Sequence, residues 1–263
     1  NWDNKHPHGV LVNTLGDVNM INHFYEYQLY CKSLYASIQN FNKAAMDACK
    51  KRTEEEYIEM IKDKYNIEDR TKDIVFSVDP LTSKDFDDAF SQKYDIDNDV
   101  YVLSVYISNV PLWMEAMNLW QSFSDRIATI YLPDRKRPML PTILSDNICS
   151  LIEKRPRFAF TMDLIIHYTT FEILNVEFKN CLINVNKNLR YDTKEQSEYK
   201  PYKSMKIITR ALNQKYKYMD KIATSHDVVA YLMVLMNNYC AKEMIKHKDG
   251  IYRSVKLNDT YIP

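Results

Sequence analysis

The chain has 263 residues, of which 46% are hydrophobic. That is enough apolar matter for one large domain or a domain with an appendage, and it excludes a disordered or fibrous protein. The 35 Lys and Arg balance the 35 Asp and Glu, so no overall positive field marks a nucleic-acid binder and net charge leaves the partner open. Only Gly9, Gly16 and Gly250 are glycines, which leaves no Gly-rich phosphate loop and excludes P-loop and Rossmann chemistry. Five scattered cysteines without a CxxC pair argue against a disulfide framework or zinc site and favour a reducing, intracellular and cytoplasmic setting. No apolar run reaches the roughly 18 to 20 residues that span a bilayer, so no membrane partner is expected.

In chain order, the stretch from His6 to Gly16 alternates weakly between glycines and is expected as the last strand of a small β-domain. Apolar residues then recur at helical spacing from Asn22 to Lys51 and from Glu54 to Lys64, predicting two helices inside a linker over 17–73. Strand patterning takes over at Ile74–Val78. A hairpin follows, with Ala89–Tyr94 and Val100–Ile107 joined across Asp97-Asn98-Asp99. A second hairpin is expected at Arg157–His167 and Glu172–Val185, turning at Thr169-Thr170, with the basic, Pro-rich segment Tyr131–Pro141 between the two. Helices return at Ser204–Tyr218 and Asp227–Lys246, the latter entered by Thr224-Ser225 and stopped by Gly250.

The segment Val78-Asp79-Pro80-Leu81-Thr82-Ser83-Lys84-Asp85-Phe86-Asp87-Asp88-Ala89 holds four carboxylates within ten residues at the end of an apolar strand. Like charges so close repel one another, and a cation offsets that repulsion. Carboxylate oxygens are hard ligands, so the expected ion is Mg²⁺, with Mn²⁺ as the alternative. A calcium-binding EF-hand loop begun at Asp85 fails, because Phe90 and Ile96 stand where Gly and Glu are required. Solvated turn aspartates are the remaining alternative for the motif taken alone.

The motif does not stand alone. It is followed by Arg126-Ile-Ala-Thr-Ile-Tyr131-Leu-Pro-Asp-Arg135-Lys136-Arg137-Pro-Met-Leu-Pro141, then Leu144-Ser145, Cys149-Ser150-Leu151, Arg157-Phe-Ala159 and Leu189-Arg190-Tyr191-Asp192. This succession resembles the RNase II, or RNB, exoribonucleases over roughly residues 74 to 255, and Gly9 to Gly16 resembles the tail of that family's cold-shock domain. The resemblance implies an α+β fold. It would consist of an RNB catalytic domain over 74–263, its mixed or antiparallel sheet packed by helices, preceded by the end of an OB-like domain over 1–16 and the helical linker.

It also implies processive, Mg²⁺-dependent 3′-to-5′ hydrolysis of single-stranded RNA to 5′-nucleoside monophosphates. Asp79, Asp85 and Asp88 correspond to metal ligands, and Asp87 to the carboxylate nearest the attacking water. Tyr131 matches the aromatic that stacks on terminal bases. Tyr191 matches the tyrosine that reads the ribose 2′-hydroxyl, and Arg126, Arg135, Lys136 and Arg137 form a cationic group suited to phosphate.

Three departures accompany the resemblance. The family's His-Ile-Ala-Asp-Val strand reads Tyr106-Ile-Ser-Asn109-Val110 here, and the acidic pair of the penultimate helix is replaced around Ala230-Tyr231-Leu232. The family's later Thr-Ser-Pro-Ile-Arg-Arg-Tyr segment does not occur within the 263 residues. The expectation is therefore a piece of a longer chain whose fold is completed by a C-terminal segment or another protein. The competing readings are a degenerate RNB module that holds RNA or a partner protein without cutting, and a structural subunit with solvated aspartates.

Overall fold

A computed structural model describes residues 9–252. The elements of the first half are α1 (Ile21–Cys31), α2 (Gln39–Lys51), α3 (Glu54–Lys64), β1 (Glu68–Asp79), β2 (Asp88–Asp95), β3 (Val100–Ser108) and α4 (Val110–Ala116). After them come β4 (Ile130–Tyr131), β5 (Lys136–Arg137), β6 (Pro156–His167), β7 (Ile173–Arg190), α5 (Lys194–Glu198), α6 (Lys200–Lys215) and α7 (Ser225–His247). The described residues divide into two compact units, 9–51 with 118–142 and 52–117 with 143–252. Among the described residues, no helix is long and apolar enough to cross a membrane.

The first unit contains α1, α2 and the β4–β5 hairpin. The helix expected from Asn22 to Lys51 is two helices, because Ser33 takes a left-handed φ of 55° and ends α1. Phe41 is fully buried in this unit and meets the edge of Phe123, with ring centroids 5.6 Å apart. Residues 9–16 form no strand, so the expected last strand of an OB-like domain is absent there, and its beginning at His6–His8 lies outside the described residues.

The second unit is built on a closed barrel in the order β1-β2-β3-β6-β7. The predicted hairpins β2–β3 and β6–β7 are present, and β3 pairs antiparallel with β6. Closure comes from β1 and β7, which run parallel with Ser77 opposite Asn188 and Asp79 opposite Arg190. β1 starts at Glu68, inside the charged stretch expected to be linker. Its charges are used: Arg70, 6% exposed, sends Nη1 and Nη2 to Asp163 at 2.7 and 2.6 Å. A charge run normally marks a solvated face, but here the buried pair converts it into strand.

Alternate residues of each strand face opposite ways. One set, including Phe76, Val78, Phe90, Leu103, Val105, Met162, Leu164 and Leu189, packs with Met205, Ile208, Leu212, Val228, Leu232 and Leu235 of α6 and α7. The other set turns inward: Val75, Ala89, Tyr106, Ala159, Cys181 and Ile183 cluster together. Polar groups in this inner set are bonded to each other, with Ser104 Oγ donating to Asp163 at 2.6 Å and Tyr106 Oη lying 2.9 Å from Ser91 Oγ. α7 is apolar on most of its circumference, and its start is fixed by a capping box between Thr224 and Asp227.

Candidate active site

The acidic segment leaves the barrel at the end of β1 and rejoins it at the start of β2. Between them the loop is held from several sides. Arg190 Nη1 donates to the Pro80 carbonyl at 2.9 Å, and its guanidinium lies over the Phe86 ring, 5.0 Å from the centroid. Ser150 Oγ accepts from the Phe86 amide at 2.9 Å, while the Phe86 carbonyl accepts from the Leu151 amide at 2.8 Å. Ser108 N donates to the Asp87 carbonyl at 2.8 Å. The Cys-Ser-Leu and Leu-Arg-Tyr-Asp motifs thus shape the loop that carries the aspartates.

Asp79 is buried, and its Oδ2 accepts from Ser77 Oγ at 2.6 Å. Ser77 is itself supplied by Asn188 Nδ2 at 2.9 Å, across the parallel seam. The amide of Tyr191 donates to the Asp79 carbonyl at 3.0 Å. Burial pushes the Asp79 carboxyl up to about 6 against the pull of Ser77 and Arg190, with Asp87 and Asp85 adding to the rise. Asp88 goes further, to about 7, again through burial first and then the charges of Asp79 and Asp87. Its Oδ2 is buried without a hydrogen-bond partner.

Tyr191 borders the same field, since burial and then Asp88 and Asp79 hold its hydroxyl in the neutral form far above the usual phenol range. The four aspartates and Tyr191 therefore share one electrostatic neighbourhood, with Asp87 exposed and Asp85 half-buried.

Among the described residues, no three His, Cys, Asp or Glu side chains are gathered into a group that would hold a metal ion. The donor chemistry nonetheless suits a hard cation: mutually repelling carboxylates, two of them largely withdrawn from water, and one buried oxygen lacking any donor. A divalent ion would relieve all three costs.

The other expected residues are distributed differently. Tyr131, Arg126, Arg135 and Arg137 belong to the first unit and the aspartates with Tyr191 to the second. Tyr131 is 77% exposed on the β4–β5 hairpin, opposite Lys136. Arg126 is not a surface cation: it is 9% exposed, and its guanidinium donates to the carbonyls of Ala36 at 3.0 and 2.6 Å and of Pro138 at 2.9 Å. Arg137 is ion-paired with Glu26; Arg135 is ion-paired with Asp134 and donates from Nη2 to Asn22 Oδ1. Of these three arginines, Arg126 is the one whose charge is fully absorbed by backbone carbonyls.

The departures also resolve spatially. Tyr106 points into the barrel, Asn109 Nδ2 donates to Asn180 Oδ1 at 2.8 Å, and neither is drawn into the acidic field. At the lost acidic pair, Ala230 is exposed while Tyr231 is buried with its hydroxyl on the Tyr216 carbonyl at 3.0 Å. Sequence reasoning missed Ser77, Asn188 and His226. Ser77 had a signal, since it stands two residues before Asp79 and so on the same face of the strand. His226 had none; its ring stacks on Tyr191 with centroids 3.7 Å apart and planes 17° from parallel.

Several known proteins are similar to this chain. Ribonuclease R of Chlamydia muridarum is 39% identical over 90 residues, which covers 34% of this chain and 13% of that protein. Exosome complex exonuclease RRP44 of Mus musculus is 27% identical over 231 residues, 83% of this chain and 22% of that protein. Among solved structures, Mycoplasma genitalium RNase R in complex with double-stranded RNA superposes with a TM-score of 0.70 at 19% identity, covering 89% of this chain and 47% of that one. Yeast Ssd1, described as a pseudonuclease, gives 0.58 at 12% identity, over 69% and 26%. The chain thus spans a small part of the curated relatives, and the RNB domain model matches residues 67–198, from just before β1 to the end of α5. With half of its length inside that match and the barrel, seam and acidic loop all within it, the chain belongs to the RNB domain family.

Proposed function

We propose that this chain carries the divalent-metal phosphodiesterase centre of an exoribonuclease that shortens single-stranded RNA from its 3′ end and releases 5′-nucleoside monophosphates. One observation carries the reading: four carboxylates between Asp79 and Asp88 share a field in which Asp79 is buried, Asp88 is half-buried and Asp88 Oδ2 has no donor. Without a cation this arrangement is costly, and a fold retains such a cost where the site performs chemistry. The exonuclease relatives support the reaction class, and the 3′-to-5′ polarity rests on the motif resemblance to the RNase II exoribonucleases.

In this reading Asp79, Asp85 and Asp88 hold Mg²⁺ or Mn²⁺, which when bound would supply Lewis-acid stabilisation of charge on the scissile phosphate. Ser77 fixes the Asp79 carboxylate, and Asn188 fixes Ser77. Asp87, exposed beside its buried neighbours, orients the attacking water and accepts its proton. The Tyr191 hydroxyl, kept neutral by burial first and then by Asp88 and Asp79, remains a donor for the terminal ribose. Tyr131, exposed on its hairpin, offers a face for base stacking.

The test uses the purified chain with single-stranded RNA labelled at its 5′ end, in Mg²⁺ and in chelator. A ladder shortening from the 3′ end with monophosphate product, lost in chelator and in Asp87→Asn, is the expected result. The absence of Mg²⁺-dependent shortening, both for this chain and for a longer polypeptide containing it, would remove the proposal.

A second reading is an RNB module that holds RNA without cutting it. It draws on the exposed Ala230 in place of an acidic residue, and on the fold shared with a pseudonuclease. RNA retention without product after prolonged incubation with Mg²⁺ selects it.

A further inference from the structure

Beyond the acidic field, the second unit contains a cavity of about 730 Å³ where α5, α6 and the start of α7 meet. Its wall carries Lys194, Lys203, Lys206 and Arg210, and its floor is made by Gln196 and Tyr202. Gln196 is 3% exposed and Tyr202 2%, yet Gln196 Nε2 and Tyr202 Oη have no hydrogen-bond partner. The two side chains adjoin one another. An amide nitrogen only donates and a phenol readily does, so two neighbouring buried donors lie without an acceptor beneath a cavity walled by four cations.

The acidic groups nearby do not fill this demand. Asp192, the carboxylate of the lining, is exposed and accepts from Ser225 Oγ at 2.7 Å. Glu198 reaches Lys194 Nζ only at 3.7 Å, between two exposed side chains. Arg210 uses Nε on the Ile222 carbonyl at 3.1 Å. Buried donors without acceptors are uncommon in folded proteins, and an oxyanion accepts from both while sitting among the cations.

We propose that this cavity binds a phosphate group, carried either as a diester of an RNA strand or as the monoester of a free nucleoside monophosphate. Its size suits a nucleotide, and exposed Ile207 at its edge gives a base an apolar contact. The cavity abuts the acidic site through the backbone, because Asp192 directly follows Tyr191. The RNA source rests on the nuclease reading above; the monoester source does not.

The experiment uses the whole chain in chelator, so that no RNA is cut. Adenosine 5′-monophosphate and inorganic phosphate are titrated by calorimetry, and a short fluorescein-labelled single-stranded RNA by anisotropy across a salt series. The variants are Lys206→Gln combined with Arg210→Gln, and Tyr202→Phe, which deletes only an unpartnered hydroxyl and should leave the melting temperature unchanged.

If the phosphate belongs to a strand, the double variant weakens RNA about tenfold and lowers the salt slope by about 2. If it belongs to a free nucleotide, the same variant weakens adenosine monophosphate and phosphate about tenfold and leaves RNA alone. In either case Tyr202→Phe weakens the same probe severalfold at unchanged stability. Wild-type protein that binds none of the probes, or variants that bind all of them as wild type does, overturns the proposal. Mg²⁺-dependent cleavage, measured separately on the same variants, decides the nuclease reading independently of this outcome.

Discussion

Replacing Asp88 by Asn should stabilise the metal-free protein while abolishing its activity, and the two effects together identify a site residue rather than a structural one. Burial, then Asp79 and Asp87, moves the Asp88 carboxyl from 3.8 to about 7. A rise of that size disfavours the ionised form by about 4 kcal/mol. The amide of Asn remains a desolvated polar group and Asp88 retains some exposure, so about 2 kcal/mol of this is recoverable, equivalent to roughly 4–8 °C in melting temperature for a domain of this size.

The sign follows from the direction of the shift. The folded pKa lies above the unfolded one, so Asp88 costs nothing when it is protonated in both states. The cost grows as pH rises between the two values and is constant above about 7. In chelator the Asn variant should therefore melt higher than wild type at pH 8, and the gap should close toward pH 4. Added Mg²⁺ should raise the melting temperature of wild type and leave the variant nearly unmoved, while the variant's cleavage rate falls at least a hundredfold by analogy with other transition-state charge stabilisers. An Asn variant less stable than wild type at pH 8 in chelator would refute the argument, because Asp88 Oδ2 would then have a stabilising partner.

Two further outcomes follow from the hydrogen-bond geometry. Asp163→Asn leaves the buried Arg70 guanidinium with only the exposed Glu68, on its Nε at 2.8 Å, as counter-ion, and urea denaturation should show a loss of about 2–4 kcal/mol, largely restored by adding Arg70→Met; a loss below about 1 kcal/mol would count against a dry barrel interior. Burial alone would raise the Asp163 carboxyl, but its bonds to Arg70 and Ser104 outweigh that and lower it, so the stabilisation is complete at neutral pH and drains as pH falls through the depressed value. Ser77→Ala removes the donor to Asp79 and the acceptor of Asn188, and the Mg²⁺ concentration giving half-maximal activity should rise severalfold at unchanged KM for RNA. An unaltered Mg²⁺ dependence would mean that Asp79 is oriented by something else.

Much of the barrel was legible because its hairpins are local. Asp97-Asn98-Asp99 and the Thr169-Thr170 turn are marked by residue type, and the strands beside them alternate in the ordinary way. β1 was cut short because its first half is charged, and its burial depends on Asp163, which lies 93 residues further on. The four aspartates were legible as a cluster from spacing alone. Their unequal burial was not, since it is set by the Ser77–Asn188 seam and by Ser150 and Leu151 holding Phe86. Arg126 shows the reverse error: a basic residue beside a recognised motif reads as a phosphate contact, yet Ala36, 90 residues earlier, takes two of its donors.

The parallel pairing of β1 with β7 connects these observations. That seam is the last contact needed to close the barrel, and it joins segments more than a hundred residues apart, which makes it dependent on every strand between them. Along it lie Ser77 opposite Asn188 and Asp79 opposite Arg190, the pairs that orient the first carboxylate and pin the loop bearing the other three. The acidic site therefore does not exist in any partly folded hairpin; it comes into being with closure. The buried Arg70–Asp163 pair, reaching from β1 to β6 inside the barrel, fixes the same strand from the other side. Destabilising that pair should loosen Asp79 before it unfolds the sheet, so that metal affinity is lost at lower denaturant than the barrel's tertiary signal.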